Sequence, residues 1–280
     1  MNDRSFLERY GPWALVAGGS TGLGAEFARQ LAGRGLNLLL LAEAPHPLEE
    51  LAATLRRQHR VQVRSLVVDL ARPDLLEALH RTCAELEVGL LLCVAAHAPL
   101  VPFLRQDLDD KLRVLEVNCR APLLLAHHFA PSMARRGHGA ILVMSSLAGL
   151  QGTPLVATYA ASKAFGRVLA ESLWQELGPS GVDVLVVCAG PTRTPTWLAS
   201  QPRPGSFPPI MEPGAVVAEA LASLGQGPTL VSGFWNRATS LLLSRLLPRR
   251  WAVRSMGSGM ARTYPGQHRH LGPLSSDPED

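Results

Sequence analysis

The chain has 280 residues, of which 47% are hydrophobic and 18% charged, with a formal net charge of +4. That balance excludes a disordered or fibrous chain and is enough to bury one sizeable core. The basic residues are scattered apart from Arg245, Arg249, Arg250 and Arg254. Their plain reading is a solvated helix end, with contact to anionic lipid left open, and the chain lacks the basic stripe with interleaved aromatics of a nucleic-acid binder.

Residues 13–17, WALVA, are predicted to form a buried strand. Gly18, Gly22 and Gly24 follow, and then a helix ending at Gly35. Residues 36–42 read as a second buried strand, and a helix begins with Pro47 in its first turn. A third strand ends at Asp69, and Pro73 opens the next helix. GLLLCVAA, 89–96, is a fourth strand. A long helix is expected over 107–136, with an interruption near Pro122. GAILVMSS, 139–146, and VDVLVVCAG, 182–190, are further strands, with a helix over 158–177 between them. Apolar strands alternating with helices imply a doubly wound α/β fold: a parallel, Rossmann-type sheet in a three-layer α/β/α sandwich. No internal linker divides it, so one domain is expected over 1–263.

Ligand chemistry in such a fold lies beyond the carboxyl ends of the strands. Gly18, Gly22 and Gly24, spaced G-x-x-x-G-x-G between strand and helix, suit a dinucleotide pyrophosphate at a helix N-terminus. Gly18 supplies an unusual backbone angle, Gly22 close approach to phosphate and Gly24 close helix packing. Glu43 follows the second strand, Asp69 ends the third, Ser145 and Ser146 end the fifth, and Gly190, Thr192 and Thr194 follow the sixth. Asn118 is a polar residue in an apolar helical stretch and needs a partner. Tyr159 and Lys163, four apart, share a helix face. The ammonium is expected to lower a phenol pKa that is ordinarily about 10, giving a proton donor and acceptor near neutral pH.

GGSTGLG at 18–24, VDL at 68–70, EVN at 116–118, SSLAG at 145–149, YAASK at 159–163 and AGPTRT at 189–194 together resemble the short-chain dehydrogenase/reductase family over about residues 10–230. The leader YGPWALV and the segment ending PRRW resemble bacterial members of the oxoacyl or hydroxysteroid oxidoreductase type. The resemblance implies strand order 3-2-1-4-5-6-7, with a seventh strand near 229–232. It implies interconversion of a secondary alcohol and a ketone. Tyr159 is then the general acid/base, and Lys163 holds the nicotinamide ribose and lowers the tyrosine pKa. Ser146 orients the substrate oxygen, while Ser145 points the other way along the strand. Asn118 helps hold a water beside the lysine. Implied cofactor contacts come from Gly18, Ser20, Thr21, Gly22, Leu23, Gly24, Glu43, Asp69, Leu70, Ala95, Gly190, Thr192 and Thr194, besides Tyr159 and Lys163. A homodimer or homotetramer through the two long helices is expected. No metal is called for, since the nine histidines show no H-E-x-x-H spacing.

Three departures from the family pattern bear on activity. Ala17 stands where threonine is usual, Ala189 where proline is usual, and Cys93–Val94–Ala95–Ala96 where Asn-Asn-Ala-Gly is usual. The last removes two amides and is expected to weaken cofactor binding, so a catalytically weak or silent cofactor-binding protein of the same fold is the alternative. Glu43 follows the second strand where related reductases carry arginines. A carboxylate there accepts from the free ribose hydroxyls and repels a 2′-phosphate, which favours NAD(H) over NADP(H) without closing the second option. A lid is expected over 195–213, where Trp197, Leu198, Phe207, Ile210 and Met211 offer an apolar lining for a hydrophobic alcohol or ketone. FWNRATSLLLSRLLPRRW, from residue 234, reads as amphipathic, and 264–280 as a disordered tail. Four cysteines without C-x-x-C spacing, no apolar signal core at the start and no run of about 18 apolar residues point to a cytoplasmic protein without a transmembrane segment.

Overall fold

Strands without a polar face require cover on both sides, and the chain supplies it. The structure, a computed structural model, describes residues 3–203 and 208–268. In chain order the elements are α1 (Asp3–Tyr10), β1 (Trp13–Ala17), α2 (Gly22–Gly33), β2 (Asn37–Ala42), α3 (Pro45–Gln58), β3 (Val63–Val67), α4 (Leu75–Cys83), β4 (Val88–Cys93), α5 (Leu108–Leu115), α6 (Ala121–Arg136), β5 (Gly139–Ser146), α7 (Ala157–Leu177), β6 (Val182–Ala189), α8 (Pro195–Ala199), α9 (Pro213–Ala222), β7 (Thr229–Val231), α10 (Phe234–Leu241), α11 (Arg249–Thr263) and α12 (Pro265–His268). The seven strands form one parallel sheet in the order β3-β2-β1-β4-β5-β6-β7, as expected.

Strand alternation divides the core in two. Ala14 and Val16 of β1 and Leu38 and Leu40 of β2 face one layer, with Phe27 and Leu31 of α2 and Val216 and Val217 of α9. Leu15, Leu39 and Leu41 face the other, with Leu125, Phe129 and Met133 of α6. Each fully buried leucine contributes about 1.5–3 kcal/mol relative to exposure. The expectation of a sheet covered on both faces holds.

The differences are local. Helix α1 has no counterpart in the sequence reading. It closes the amino-terminal edge of the sheet, with Phe6 and Tyr10 buried one turn apart. Strand β3, at the edge of the sheet, stops at Val67, and Asp69 lies in a turn whose Ala71 N–H donates to Asp69 Oδ1 at 2.9 Å. Strand β4 stops at Cys93, since the N–H groups of Val94 and Ala95 both turn to the Ala17 carbonyl, at 2.9 and 2.8 Å. The long helix is interrupted by a π-turn at Glu116–Arg120, just ahead of Pro122. Phe207 and residues 269–280 lie outside the described residues; Tyr264 to His268 are described, and Pro265–His268 makes a helical turn. No helix among the described residues is long and apolar enough to cross a membrane.

Candidate active site

The turn after β1 is built from conformations that only glycine adopts readily. Gly18 has a φ of 91°, and a side chain there would lie within 2.5 Å of the Ala95 nitrogen. A side chain on Gly24 would overlap the Gly18 carbonyl, so α2 starts directly against the turn. Thr21, at the N-cap of α2, makes no side-chain cap, which leaves the helix start for an external anion. Leu23 packs on the core, and Thr194 lies against Gly22. The end of β6 therefore meets the glycine turn. Thr192 donates to the Gly190 carbonyl at 3.0 Å, and Thr194 caps α8 by accepting from Trp197 N–H at 3.2 Å.

The replaced amides of the fourth strand leave its anchor intact, because backbone bonds to Ala17 hold Val94 and Ala95. Asn118 then secures the next residue. Its side chain accepts from His97 N–H at 2.8 Å and donates to the His97 carbonyl at 2.9 Å. It also donates to Ser162 Oγ at 2.9 Å, and Ser162 donates to the Tyr159 carbonyl at 2.7 Å. The predicted partner of this buried amide is thus found: it ties the loop after β4 to the first turn of α7. The π-turn around Asn118 points the side chain inward from a helix that otherwise packs by its apolar face.

Ser146 is the last residue of β5 and its Oγ accepts from Ala148 N–H at 3.2 Å. Tyr159 is half-buried in the first turn of α7, on the side of Ser146. Burial raises the phenol pKa above its ordinary value, and the Ser146 side chain offsets this in part. This differs from the expectation that Lys163 sets the phenol. The Lys163 ammonium lies 5.5 Å from the Tyr159 ring centre and donates to the Met144 carbonyl at 2.9 Å. Burial pushes its own pKa down to about 8. Ser145 donates to the Lys163 carbonyl at 2.8 Å, facing away from the site as strand alternation requires.

At the other end of the crevice, the Arg113 guanidinium of α5 bridges two predicted cofactor residues. It donates to Glu43 Oε2 at 2.9 Å and Asp69 Oδ2 at 3.0 Å. Burial opposes ionisation of Asp69, but the Ala71 N–H and Arg113 together hold its carboxyl below the ordinary range. Arg113 has no short-range sequence signal, since its partners lie 70 and 44 residues earlier. Leu70 turns its side chain into the core, leaving only its backbone for a ligand. His97 pairs through Nε2 with Asp110, whose second oxygen accepts from Gln106 at 2.8 Å. That pair was also missed, and it pins the segment after the altered amides.

The chain after β6 comes back beside its own start at Met211. Met211 N–H donates to the Pro191 carbonyl at 2.9 Å, and Arg193 N–H to the Met211 carbonyl at 2.9 Å. Trp197, Leu198, Ile210 and Met211 are half-buried or exposed along this return. Among the described residues no cluster of three or more His, Cys, Asp or Glu is arranged for a metal.

A seven-stranded doubly wound sheet with a glycine turn after its first strand and a Ser–Tyr–Lys group beyond its fifth defines a class of dinucleotide-binding α/β proteins. The profile described as short chain dehydrogenase matches residues 12–204, and the chain belongs to that family of oxidoreductases, whose fold binds NAD(P)(H). A 7beta-hydroxysteroid dehydrogenase of Clostridium sardiniense is 32% identical over 234 residues, 83% of this chain and 90% of that protein. A very-long-chain 3-oxoacyl-CoA reductase of Pyricularia oryzae is 35% identical over 227 residues, 78% of this chain and 67% of that protein. A short-chain dehydrogenase from Sphingobium yanoikuyae, solved in complex with NADPH, is 34% identical with a TM-score of 0.72, covering 79% of this chain and 87% of that one.

Proposed function

We propose that the chain interconverts a hydrophobic secondary alcohol and its ketone, with Tyr159 as general acid/base. The observation that carries this reading is the convergence at the carboxyl end of the sheet of Ser146, the last residue of β5, with Tyr159 and Lys163, one helical turn apart on α7. Tyr159 transfers the proton at the substrate oxygen, and Ser146 donates a hydrogen bond to that oxygen as charge develops. Lys163 would hold the nicotinamide ribose, and its charge would favour the phenolate. Bound nicotinamide supplies or accepts the hydride. Gly18, Ser20, Thr21, Gly22, Leu23 and Gly24 hold the pyrophosphate, Asp69 with the backbones of Leu70 and Ala95 the adenosine, and Gly190, Thr192 and Thr194 the nicotinamide. Asn118 positions Tyr159 and the loop at His97.

A hydrophobic substrate is supported by the apolar lid residues and by the names of the steroid and very-long-chain acyl relatives. NAD(H) is favoured over NADP(H). One guanidinium, Arg113, faces two carboxylates, so the ribose end keeps a net negative charge. A 2′-phosphate carrying about two further negative charges is repelled there. The NADPH-bound relative keeps the opposite preference in play. Assembly as a homodimer or tetramer is supported by outward apolar residues on α5 to α7, among them Leu112, Leu115, Phe165 and Val168. Light scattering at micromolar protein tests it, and a persistent monomer counts against it.

The decisive experiment is Tyr159→Phe, assayed beside titrations with NADH and NADPH. Cofactor binding is expected to survive while turnover falls by at least about 10²-fold. Wild-type turnover in the variant removes the assigned role. Firm cofactor binding with no turnover by the wild type, across a panel of ketones and alcohols, favours the silent reading raised by Cys93 to Ala96.

A further inference from the structure

A helix that buries one face in a protein ordinarily presents polar residues on the other. Helix α10 and the π-turn Leu242–Leu246 that follows it depart from this, and α11 adds an exposed Trp251 among its outward arginines. Asn236, Leu243 and Ala252 face inward and are buried. Outward, Phe234, Trp235, Leu241, Leu242, Leu246 and Trp251 are exposed, Phe234 by 72% and Leu246 by 68%. The charge of this region is equally one-sided. No Asp or Glu occurs between Glu219 and Asp277, while seven arginines do, which more than accounts for the chain's net +4. Arg245, Arg250 and Arg254 are exposed and pair with no carboxylate among the described residues; Arg254 lies 6.0 Å from the Trp251 ring.

We propose that this face docks on an anionic lipid surface, with Phe234, Leu242, Leu246 and Trp251 entering the headgroup boundary and Arg245, Arg250 and Arg254 meeting lipid phosphates. The combination of outward apolar side chains with unopposed arginines is what an interfacial helix requires. A second copy of the chain fits less well, because a two-fold contact would set the same arginines against one another. A soluble polyanion such as a nucleic acid would use the arginines but leave the leucines in water. The helices lie on the surface rather than span it, as none among the described residues is long and apolar enough to cross. The face also borders the candidate active site. Arg249 donates to the Leu150 carbonyl, just after Ser146, at 3.1 Å. Tyr264, beyond α11, meets Ser200 Oγ of the lid segment at 3.1 Å, and Arg203 N–H donates to the Thr263 carbonyl at 3.0 Å. Docking therefore sets the lid and the loop after Ser146 beside the lipid.

Flotation of the full chain with vesicles tests this without substrate or cofactor, so the result is independent of the proposed reaction. The vesicles are phosphatidylcholine alone, or phosphatidylcholine with about one-third phosphatidylglycerol. Binding is expected to the anionic vesicles at low salt and to fall at ~0.5 M salt. Two double variants, Arg245→Glu with Arg250→Glu and Leu246→Ser with Trp251→Ser, are each expected to weaken it at least about tenfold with unchanged melting temperature. Absence of flotation, equal binding to neutral vesicles, or wild-type binding by either variant overturns the proposal. So does loss of oligomer mass in the Leu246/Trp251 variant, which assigns the face to a second copy. Equally tight binding of an oligonucleotide, untouched by that variant, assigns it to polyanions and overturns it as well.

Discussion

Tyr10, fully buried, and Tyr159, half-buried, stand at opposite ends of one sheet. Tyr10 closes α1 at the amino end, where its hydroxyl donates to Asp183 Oδ2 at 2.7 Å beside the Arg9 Nε bond of 2.9 Å. Burial raises its pKa, and the Asp183 carboxylate raises it further. Tyr159 stands at the carboxyl end, where burial again raises the pKa but a serine hydroxyl lowers it. Burial is common to both; the partner separates them. A carboxylate holds the phenol proton in place and makes a clamp. A hydroxyl both gives and accepts, so the proton can leave toward a substrate oxygen.

The Tyr159→Phe loss of at least about 10²-fold in turnover is the largest effect expected, and it should leave thermal stability nearly unchanged. Lys163→Met comes next, with its two readouts moving in opposite directions. Turnover is lost, yet stability at pH 7 rises, on the order of 3 kcal/mol, because a buried ammonium no longer has to be desolvated. The folded pKa of about 8 lies below the ordinary 10.5, so below pH 8 both states carry the charge and the fold bears its full cost. Above that the folded lysine sheds its proton first, and the advantage of the variant shrinks up to about pH 10.5. Urea midpoints of the two chains across this range check it, the buried cysteines titrating alike in both. A constant difference would break the argument. Tyr10→Phe gives the reverse of Tyr159→Phe: unchanged turnover and about 1–2 kcal/mol less stability by denaturant titration. If it also cost turnover, the two ends of the sheet would not be separable. The smallest effect sits far from either tyrosine. Glu43→Gln frees Arg113 from one carboxylate and is expected to move the NADH-to-NADPH affinity ratio several-fold toward NADPH, about 1 kcal/mol. An unchanged ratio removes Glu43 as the discriminator.

Much of this architecture is legible in the chain because its signals are local. LNLLLLA and GAILVMSS are continuous apolar runs, and once strands and helices alternate, topology alone brings Gly18, Ser146 and Tyr159 to one edge. Strand alternation alone separates Ser146 from Ser145. The parts that escaped depend on distant partners. DRSFLERY carries Phe6 and Tyr10 at helical spacing, but nothing in it announces Asp183 as the anchor. Arg113 is one arginine among many until folding sets Glu43 and Asp69 before it. The placement of Lys163 on Met144 follows from the depth of its pocket, which spacing from Tyr159 does not encode.

The π-turn at Glu116–Arg120 also makes the chain sensitive to length at a place where composition gives no warning. It holds one residue more than a regular helix would, and each helical residue advances the chain by about 100° around its axis. Removing any one of the five would bring the segment back into α-helical phase. Either Leu125, Phe129 and Met133 would then swing off the sheet, or Asn118 would swing off His97. Exposed connections absorb single deletions readily; this buried surplus residue is a counter that cannot be reset without losing the core or the site.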